Sequence, residues 1–248
     1  MDLNADMAEG IGEQGWAADA ALLKVITSAN IACGGHAGDA ETMRHACEAA
    51  LERGVRIGAH PGYADRENFG RAELQLATGE VVAQVAEQIT LLESIAASSG
   101  SAVTHVKLHG ALYHRALRDD ELAAALAELI AGLASPPVVL APARGAIVDA
   151  ALASDLRCAA EGFADRAYDA AGLLVPRDQP GSVLGAEEAI AQALRLAREG
   201  SVIANDGTVL PIDVESICVH GDTPGAIELA GELRAALTGG GIEVKAFA

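Results

Sequence analysis

Aromatic residues, lysine and positive charge are all scarce in this sequence of 248 residues. Phe, Trp and Tyr make up 3% of the chain, although hydrophobic residues make up 51%, so we expect a large core packed mainly from aliphatic side chains and alanine. The only lysines are Lys24, Lys107 and Lys245, and the formal net charge is −18. Because nucleic-acid binding depends on Lys and Arg contacts to phosphates, this balance argues against a nucleic-acid partner.

Cysteine is also sparse, and long apolar runs are missing. The four cysteines form no CxxC pair, so their spacing indicates no zinc ribbon. The N-terminus shows no secretory segment, and we therefore expect reduced thiols in a cytoplasmic protein. No uncharged apolar stretch free of proline reaches the roughly 18 residues that a transmembrane helix requires, so no membrane span is expected.

Three common motifs of nucleotide and hydrolase chemistry are absent. None of the three lysines lies in a GxxxxGK[ST] segment, and no GxGxxG follows an apolar run. A GxSxG nucleophile elbow is missing as well. The sequence therefore disfavours P-loop ATP binding, a Rossmann cofactor and an α/β-hydrolase triad.

What the sequence does contain is a histidine, set among glycines, after each of four apolar runs. These segments are residues 30–39, 57–63, 105–114 and 217–222. Apolar runs bounded by Gly and Pro are typical of buried strands that lead into turns. Histidine suits proton transfer and metal ligation near neutral pH. Four such segments predict one site that is assembled from several loops.

Seven apolar runs alternate with helical patterns along the chain. We predict strands over 1–4, 28–32, 55–59, 103–108, 138–141, 157–161 and 216–219. Helices are predicted over 19–26, 40–53, 79–98, 119–134, 143–153 and 186–199, and a last one capped by Thr223 runs to about 237. Parallel strands joined by helical crossovers give an α/β fold, and polar motifs after nearly every strand favour a barrel over an open sheet. No composition break divides the chain, so we expect a single barrel domain over 1–248.

The first predicted strand carries Asp2 and Asn4 on one face, with Asp6 just past its end. In a barrel that face is the lumen, where carboxylates bind a metal or position a histidine. The alternative is an N-terminal cap or a solvated loop, because barrel layers are usually apolar. His36 and His60 follow the next two strands. Each alone can be a structural histidine, but one Asp with two His is a sufficient ligand set for a catalytic metal.

His105, Lys107 and His109 also alternate along one strand and so share a face. A lysine on an inward face is costly unless it is paired or functional, and it can serve as a base, a nucleophile or a carboxylate anchor. The alternative is a structural pair of a buried lysine with a glutamate.

Two further segments carry charge after predicted strands. Arg166 follows Glu161 in a loop and can clamp a substrate carboxylate in a bidentate way, or else form a surface ion pair of little energetic weight. His220 and Asp222 come just before a predicted helix start, whose amide groups can bind an anion.

Taken in order, these motifs resemble the LamB/YcsF family, and the resemblance covers essentially the whole chain. It rests on residues 2–6, 29–39, 58–63, 69–71, 106–113, 163–168 and 218–223. The family usually has Phe, Pro and Arg where this chain has Gly35, Leu108 and Ala72. These departures concern details of the substrate loops rather than membership.

The resemblance implies an irregular seven-stranded β/α barrel similar to the glycoside hydrolase/deacetylase superfamily. It also implies the reaction of ATP-dependent 5-oxoprolinase, in which 5-oxo-L-proline, ATP and water give L-glutamate, ADP and phosphate, with this chain as the A subunit. Partner subunits B and C are implied with it. Because the chain has no P-loop, the co-substrate ATP would be recognised at an unconventional site or on a partner subunit.

On this basis we assign hypothetical roles to the candidate residues. Catalysis is assigned to Lys107, His109, Asp6 and Asp222. Substrate binding is assigned to Arg166, Asn30, Glu161 and His220. A divalent metal is assigned to Asp2, His36 and His60. The alternatives are a stand-alone metal-dependent deacetylase or amidohydrolase and a non-catalytic lactam-binding subunit. The sequence leaves open whether the chain forms a homo-oligomer.

Overall fold

A computed structural model describes residues 1–10, 12–219 and 225–247. Its strands are β1 (Asp2–Met7), β2 (Ser28–Ala32), β3 (Arg56–His60), β4 (Val103–Val106), β5 (Val138–Ala141), β6 (Cys158–Phe163), β7 (Ser201–Ile203), β8 (Val209–Pro211) and β9 (Ser216–Cys218). Its helices are α1 (Gly12–Leu22), α2 (Ala40–Arg53), α3 (Thr78–Ser98), α4 (Gly110–Ala116), α5 (Asp120–Ala131), α6 (Ala146–Ala153), α7 (Ala186–Glu199) and α8 (Ala226–Gly239). Within the described ranges, no helix is both long enough and apolar enough to span a membrane.

Seven strands close into a barrel in the order β1-β2-β3-β4-β5-β6-β9, and each neighbouring pair is parallel. The remaining strands, β7 and β8, form a separate antiparallel pair. The seven-stranded β/α barrel expected from the sequence is therefore confirmed. Because all barrel strands run the same way, their carboxyl ends meet at one rim, where the loops of the four histidine segments begin.

Local sequence signals account for several helix boundaries. Asp39 caps α2, because its Oδ1 accepts hydrogen bonds from the backbone N–H groups of Glu41 and Thr42. Gly54 ends the same helix in the left-handed region at φ 67°. The predicted bounds of β2, β5, α2 and α7 agree with the structure.

Other predicted elements differ from the structure. The first helix spans Gly12–Leu22 rather than 19–26, since a Gly-rich acidic stretch that is typical of a loop packs against α2 and α8 as a helix. Strand β1 continues to Met7 because Asp6 and Met7 pair with β2. Helix α4 and the β7–β8 hairpin were not predicted, and each is short. The predicted cap Thr223 lies outside the described residues.

The apolar core lies between the barrel and its helices, while the lumen is polar. Side chains alternate along each strand, so Leu3, Ala5 and Met7 of β1 pack among the buried apolar residues. The opposite face of β1 carries Asp2 and Asn4, both buried. A polar lumen is unusual for a β/α barrel, in which stacked apolar layers normally fill the interior.

A glycine on β3 makes room for one lumen histidine. An ideal Cβ on Gly58 would collide with Nε2 of His105, far inside van der Waals contact. The His105 ring uses that space to reach Asn30, with its Nε2 lying 2.9 Å from the Oδ1 of Asn30. Gly58 is therefore needed for its lack of a side chain rather than for its backbone freedom.

We expect Gly58→Ala to destabilise the fold by about 1–3 kcal/mol, since the added methyl group must displace the His105 ring or the backbone. Urea denaturation of the variant and the wild type measures the change. Gly231→Ala is the matched control. No atom lies within 4 Å of a Cβ at Gly231 in the interior of α8, so that variant should gain up to about 1 kcal/mol. If wild type and Gly58→Ala had the same free energy of unfolding, the role assigned to Gly58, which is to leave space for the His105 ring, would be wrong.

Candidate metal and active site

Four side chains converge at the carboxyl-terminal rim of the barrel. Glu9 follows β1, His36 follows β2, His60 ends β3, and His109 precedes α4. One ligand atom from each of these residues lies within 4.8 Å of the other three. All three histidines are buried. Each comes from a segment that the sequence marks by Gly residues, and a Cβ on Gly62 or Gly70 would approach the rings of His36 and His109.

Hydrogen bonds fix which ring nitrogens face the centre of the cluster. Nδ1 of His60 lies 2.8 Å from the carbonyl oxygen of Lys107, and Nε2 of His109 lies 2.8 Å from the carbonyl oxygen of Phe69. A carbonyl only accepts, so these two nitrogens carry the protons. The remaining nitrogens, Nε2 of His60 and Nδ1 of His109, therefore point their lone pairs at each other across 3.0 Å.

Burial keeps the imidazoles of His36 and His109 neutral. It lowers the pKa of His109 to about 3, with the neighbouring His60 adding to the effect. Burial also lowers the pKa of His36 far below its usual range. Nε2 of His36 lies 3.1 Å from Oε1 of Glu9, and the same oxygen lies 3.6 Å from Nδ1 of His109. One carboxylate thus faces two neutral imidazoles.

This arrangement fits a divalent metal ion. Two facing lone pairs repel each other unless a cation lies between them. The other ring nitrogens, Nδ1 of His60 and Nε2 of His109, already donate to backbone carbonyls, as is usual for metal-binding histidines. With metal–ligand bonds of about 2.0–2.2 Å, tetrahedral ligand atoms stand about 3.4 Å apart, close to the separations seen here. Three nitrogens and one carboxylate oxygen are typical of zinc and related transition metals.

A buried lysine adjoins the cluster. Nζ of Lys107 lies 3.3 Å from Oδ1 of Asp6, 3.1 Å from Oε2 of Glu161 and 3.1 Å from Sγ of Cys218. Burial alone would lower the pKa of Lys107, but Asp6 and Glu161 outweigh it and raise the pKa well above the usual range. Lys107 is therefore an ammonium ion, suited to stabilising negative charge and not to acting as a base or nucleophile.

Asp6 links the lysine to the histidine cluster. Its Oδ1 lies 3.3 Å from Nζ of Lys107 and 3.4 Å from Nε2 of His60. The same oxygen accepts a hydrogen bond from Nδ2 of Asn30 at 2.9 Å. The carboxylate is thus held between the two candidate catalytic groups.

A cavity of about 1260 Å³ opens onto both groups. Its inner end is lined by Asp6, Glu9, His60, Lys107, His109 and Glu161, and its walls include Tyr113, Phe163, Arg166 and Tyr168. Burial, reinforced by the charge of Glu161, raises the pKa of Tyr113 well above its usual range, so its phenol stays protonated. The cavity is far larger than a small cyclic amide, and its inner end combines a metal-ligand set with a cation and carboxylates.

The structure brings some predicted site residues together and separates others. The inner end of the cavity brings together His60, Lys107, His109, Asp6 and Glu161, and His36 stacks on the ring of His109. Asp2 does not reach them, because the strand rise places it about 13 Å below Asp6. Its carboxylate instead accepts hydrogen bonds from the hydroxyls of Thr27, Ser28 and Ser216. In the ligand set that we propose, Glu9 therefore takes the place of Asp2.

Two predicted substrate-binding residues are engaged within the protein. Asn30 bonds to Asn4, Asp6 and His105 in the lumen, beneath the cavity and not on its wall. Arg166 lines the cavity, but its Nε and Nη2 donate to the backbone carbonyls of Ser182 and Val175. Any contact with a substrate carboxylate is left to its remaining N–H groups. The predicted residues His220 and Asp222 lie outside the described part of the chain.

Sequence reasoning did not assign a role to Glu9. The residue was visible as one of several polar groups near the first strand, but a glutamate between Ala and Gly looks like part of a solvated loop. His109 was assigned to catalysis, and in the structure both its ring nitrogens are engaged, Nε2 with the carbonyl oxygen of Phe69 and Nδ1 with Nε2 of His60. The one glutamate and three histidines of the cluster come from four separate segments of the chain, so they form no local sequence motif. Only the folded structure brings them together.

A further carboxyl, that of Asp19 on α1, is half-buried. Oδ2 of Asp19 accepts a hydrogen bond from the backbone N–H of Ala8 at 2.9 Å. Burial raises the pKa of Asp19 from 3.8 to about 6, although the Ala8 hydrogen bond acts in the lowering direction. The folded chain therefore holds this proton more tightly than the unfolded chain does. The resulting stability is present below about pH 4 and is lost as the pH rises through about 6.

We expect Asp19→Asn to remove this pH dependence. Between about pH 4 and pH 8, the stability of the variant relative to the wild type should increase by up to about 3 kcal/mol, because the variant has no buried carboxyl to ionise. Urea denaturation of both proteins over a pH series measures the difference. A difference that is constant with pH would show that Asp19 titrates normally.

Comparison with known proteins identifies the family. The model of the LamB/YcsF family matches residues 1–248. The chain belongs to the LamB/YcsF family. A LamB/YcsF relative from Nocardia farcinica, named as the A subunit of 5-oxoprolinase, is 45% identical over 247 residues, which is 100% of this chain and 99% of the relative.

Solved structures agree with this membership. The Lactam Utilization Protein of Thermus thermophilus is 38% identical, with a TM-score of 0.93 over 100% of this chain and 99% of that chain. The Xyl-CE4 domain of a multidomain xylanase from the hindgut metagenome of Trinervitermes trinervoides aligns with a TM-score of 0.50 at 9% identity, over 98% of this chain and 86% of that chain. That second likeness concerns the fold alone.

Proposed function

We propose that this chain opens the lactam ring of 5-oxo-L-proline, as the A subunit of an ATP-dependent 5-oxoprolinase that forms L-glutamate with hydrolysis of ATP. The family and the relative named as the A subunit of 5-oxoprolinase support the substrate and the role as one member of a complex. The observation that carries the proposal is that Glu9, His60 and His109, which form one ligand cluster with His36, line the inner end of the same cavity as the ammonium of Lys107.

An unactivated lactam needs charge stabilisation at its oxygen and an activated water molecule. The Lys107 ammonium, already desolvated and fixed by Asp6 and Glu161, can donate to the amide oxygen as negative charge develops on it. Asp6 stands beside both Lys107 and His60, so it can accept a proton from the attacking water and return that proton to the ring nitrogen as the C–N bond breaks. Glu161 can accept a hydrogen bond from the lactam N–H, and Arg166 can contribute its remaining N–H groups to the substrate carboxylate.

The metal-ligand set completes this assignment. We propose that Glu9, His36, His60 and His109 hold a divalent ion, which supplies Lewis-acid polarisation and lowers the pKa of water when it is bound. His60 and His109 keep their orientation through the carbonyls of Lys107 and Phe69. The backbone carbonyl of Lys107 thus orients His60, while the side chain of Lys107 faces the cavity in which we place the substrate. A single residue therefore contributes both to the metal-ligand set and to substrate binding.

ATP and the partner subunits B and C belong to the same proposal. The chain contains no P-loop, so ATP recognition is assigned to an unconventional site or to a partner subunit. The barrel formed by residues 1–248 is proposed to act as one domain within that assembly. His220 and Asp222 keep their predicted roles at the start of the last helix.

The test is glutamate release from 5-oxoproline, measured for this chain alone and after mixing with candidate B and C subunits, each with and without ATP. Formation of glutamate only with the partners and ATP would support the proposal. Amide hydrolysis by the isolated chain without ATP would identify a stand-alone amidohydrolase instead. No glutamate in any combination would rule out the proposed reaction.

A further inference from the structure

The segment that carries Glu9 has an uncommon backbone conformation. Ala8, immediately before Glu9, has φ 61°, in the left-handed region that residues with a Cβ rarely adopt. Ala8 is fully buried. Strand β1 ends at Met7 and α1 begins at Gly12, so neither strand pairing nor helix geometry holds residues 8–10. Some other contact must hold the turn, because such a conformation persists only where its surroundings enforce it.

Helix α1 supplies that contact on both sides of Glu9. On one side, the Asp19 carboxylate accepts the N–H of Ala8 at 2.9 Å. On the other side, Gly10 and Gly15 bring their backbones together, since a Cβ on Gly10 would lie 2.7 Å from Cα of Gly15. A Cβ on Gly15 would likewise lie 2.5 Å from the carbonyl carbon of Gly10. The residues on both sides of Glu9, Ala8 and Gly10, therefore each contact helix α1.

We propose that α1 positions Glu9 for metal binding and that Asp19 is its positioning residue, acting through the N–H of Ala8. The inference rests on the proposed function, because it needs the cluster of Glu9 with three histidines to be a metal site. Asp19 itself is not one of the four residues of that cluster. Its carboxylate fixes the turn that aims Oε1 of Glu9 at Nε2 of His36, 3.1 Å away.

A carboxylate is a suitable acceptor for holding the backbone N–H of Ala8 in place. A charged acceptor holds a backbone N–H more strongly and at a better-defined distance than a neutral one. Groups that orient metal ligands without touching the metal typically change metal affinity by about 10–100-fold when they are removed. Loss of the Asp19 carboxylate should have an effect of that size, although no metal contact is removed.

The experiment measures Zn²⁺ affinity of the full chain by competition with a chromophoric chelator. Asp19→Ala is expected to bind Zn²⁺ about 10–100-fold more weakly than wild type, and Asp19→Asn to lie between the two. Asp119→Ala is the matched control, because Asp119 also accepts a backbone N–H, that of Leu122, but does so at the start of α5, where it also pairs with Arg115 and is not part of the cluster. The control should keep wild-type affinity. Far-UV circular dichroism reports the fold of each variant, and Asp19→Asn carries the test if the alanine variant does not fold.

A double-mutant cycle separates positioning from general destabilisation. If Asp19 acts through Glu9, then Asp19→Asn should add no further loss of Zn²⁺ affinity in a Glu9→Gln background. Equal losses in the two backgrounds would overturn the inference, as would wild-type affinity of folded Asp19 variants. A wild-type chain that binds no Zn²⁺ would overturn the proposed metal site and this inference together, whereas the other two results leave the metal site standing.

Discussion

Lys107→Met is expected to lower the turnover of 5-oxoproline by about 10²–10³-fold, the usual effect of removing one donor to a developing oxyanion. The ammonium is buried, faces the cavity and is fixed by Asp6 and Glu161. Methionine keeps an unbranched apolar side chain that is one atom shorter than that of lysine, but it cannot donate a hydrogen bond. Glutamate release by the reconstituted complex at saturating 5-oxoproline and ATP measures the effect.

The control must distinguish a loss of catalytic activity from a loss of the folded structure. Removing the lysine leaves two buried carboxylates without their counter-ion, which costs about 3–5 kcal/mol in comparable buried pairs. The variant Lys107→Met with Glu161→Gln removes one of those charges and should fold better while remaining inactive. Lys24→Met, on the exposed surface, should retain full turnover. Near-wild-type turnover of folded Lys107→Met would refute the catalytic role of Lys107.

His60→Ala is expected to weaken Zn²⁺ binding by at least about 100-fold, more than a change in a group that only orients a ligand. The variant removes one of the two facing lone pairs, and with it the geometry that favours a cation at this point. Elemental analysis after dialysis gives the metal content, and calorimetry gives the affinity. The wild type is expected to hold about one ion per chain in a site of this kind.

A different histidine provides the matched control for His60. His45 lies on the exposed face of α2, where its ring packs at a tilt of 34° against Trp16 with a centroid distance of 4.1 Å. His45→Ala should therefore bind Zn²⁺ like the wild type. If chelator-treated wild type contained no metal and still opened the lactam at full rate with its partners, the metal would have no catalytic part.

Much of the fold can be predicted from short apolar runs. The predicted strands over 28–32 and 138–141 have the bounds seen in the structure, because each is an uninterrupted buried run. The hairpin of β7 and β8 was missed because strands of three residues carry too little pattern to distinguish them from loops. Helix α1 was misplaced because its Gly-rich start contradicts helix propensity, and packing against α2 and α8 overrides that preference.

The candidate site is less predictable than the fold. Alternation along β1 correctly places Asp2, Asn4 and Asp6 on one face, yet it does not say which of them reaches the rim. His36 and His60 were identified from their Gly-rich context. Glu9 could not be identified, since its position depends on the left-handed conformation of Ala8 and on a helix that starts three residues later.

The polar lumen constrains how this barrel can change over evolution. Asp2 is bonded to Ser28 and Ser216, Ser216 to Asn4, and Asn4 to Asn30. Replacing any one of them leaves a buried partner without its hydrogen bond, whereas an apolar layer tolerates single substitutions of similar volume. We therefore expect substitutions at lumen positions to occur together during evolution. A homologue that differs at one of these positions should also differ at the residues that are hydrogen-bonded to it.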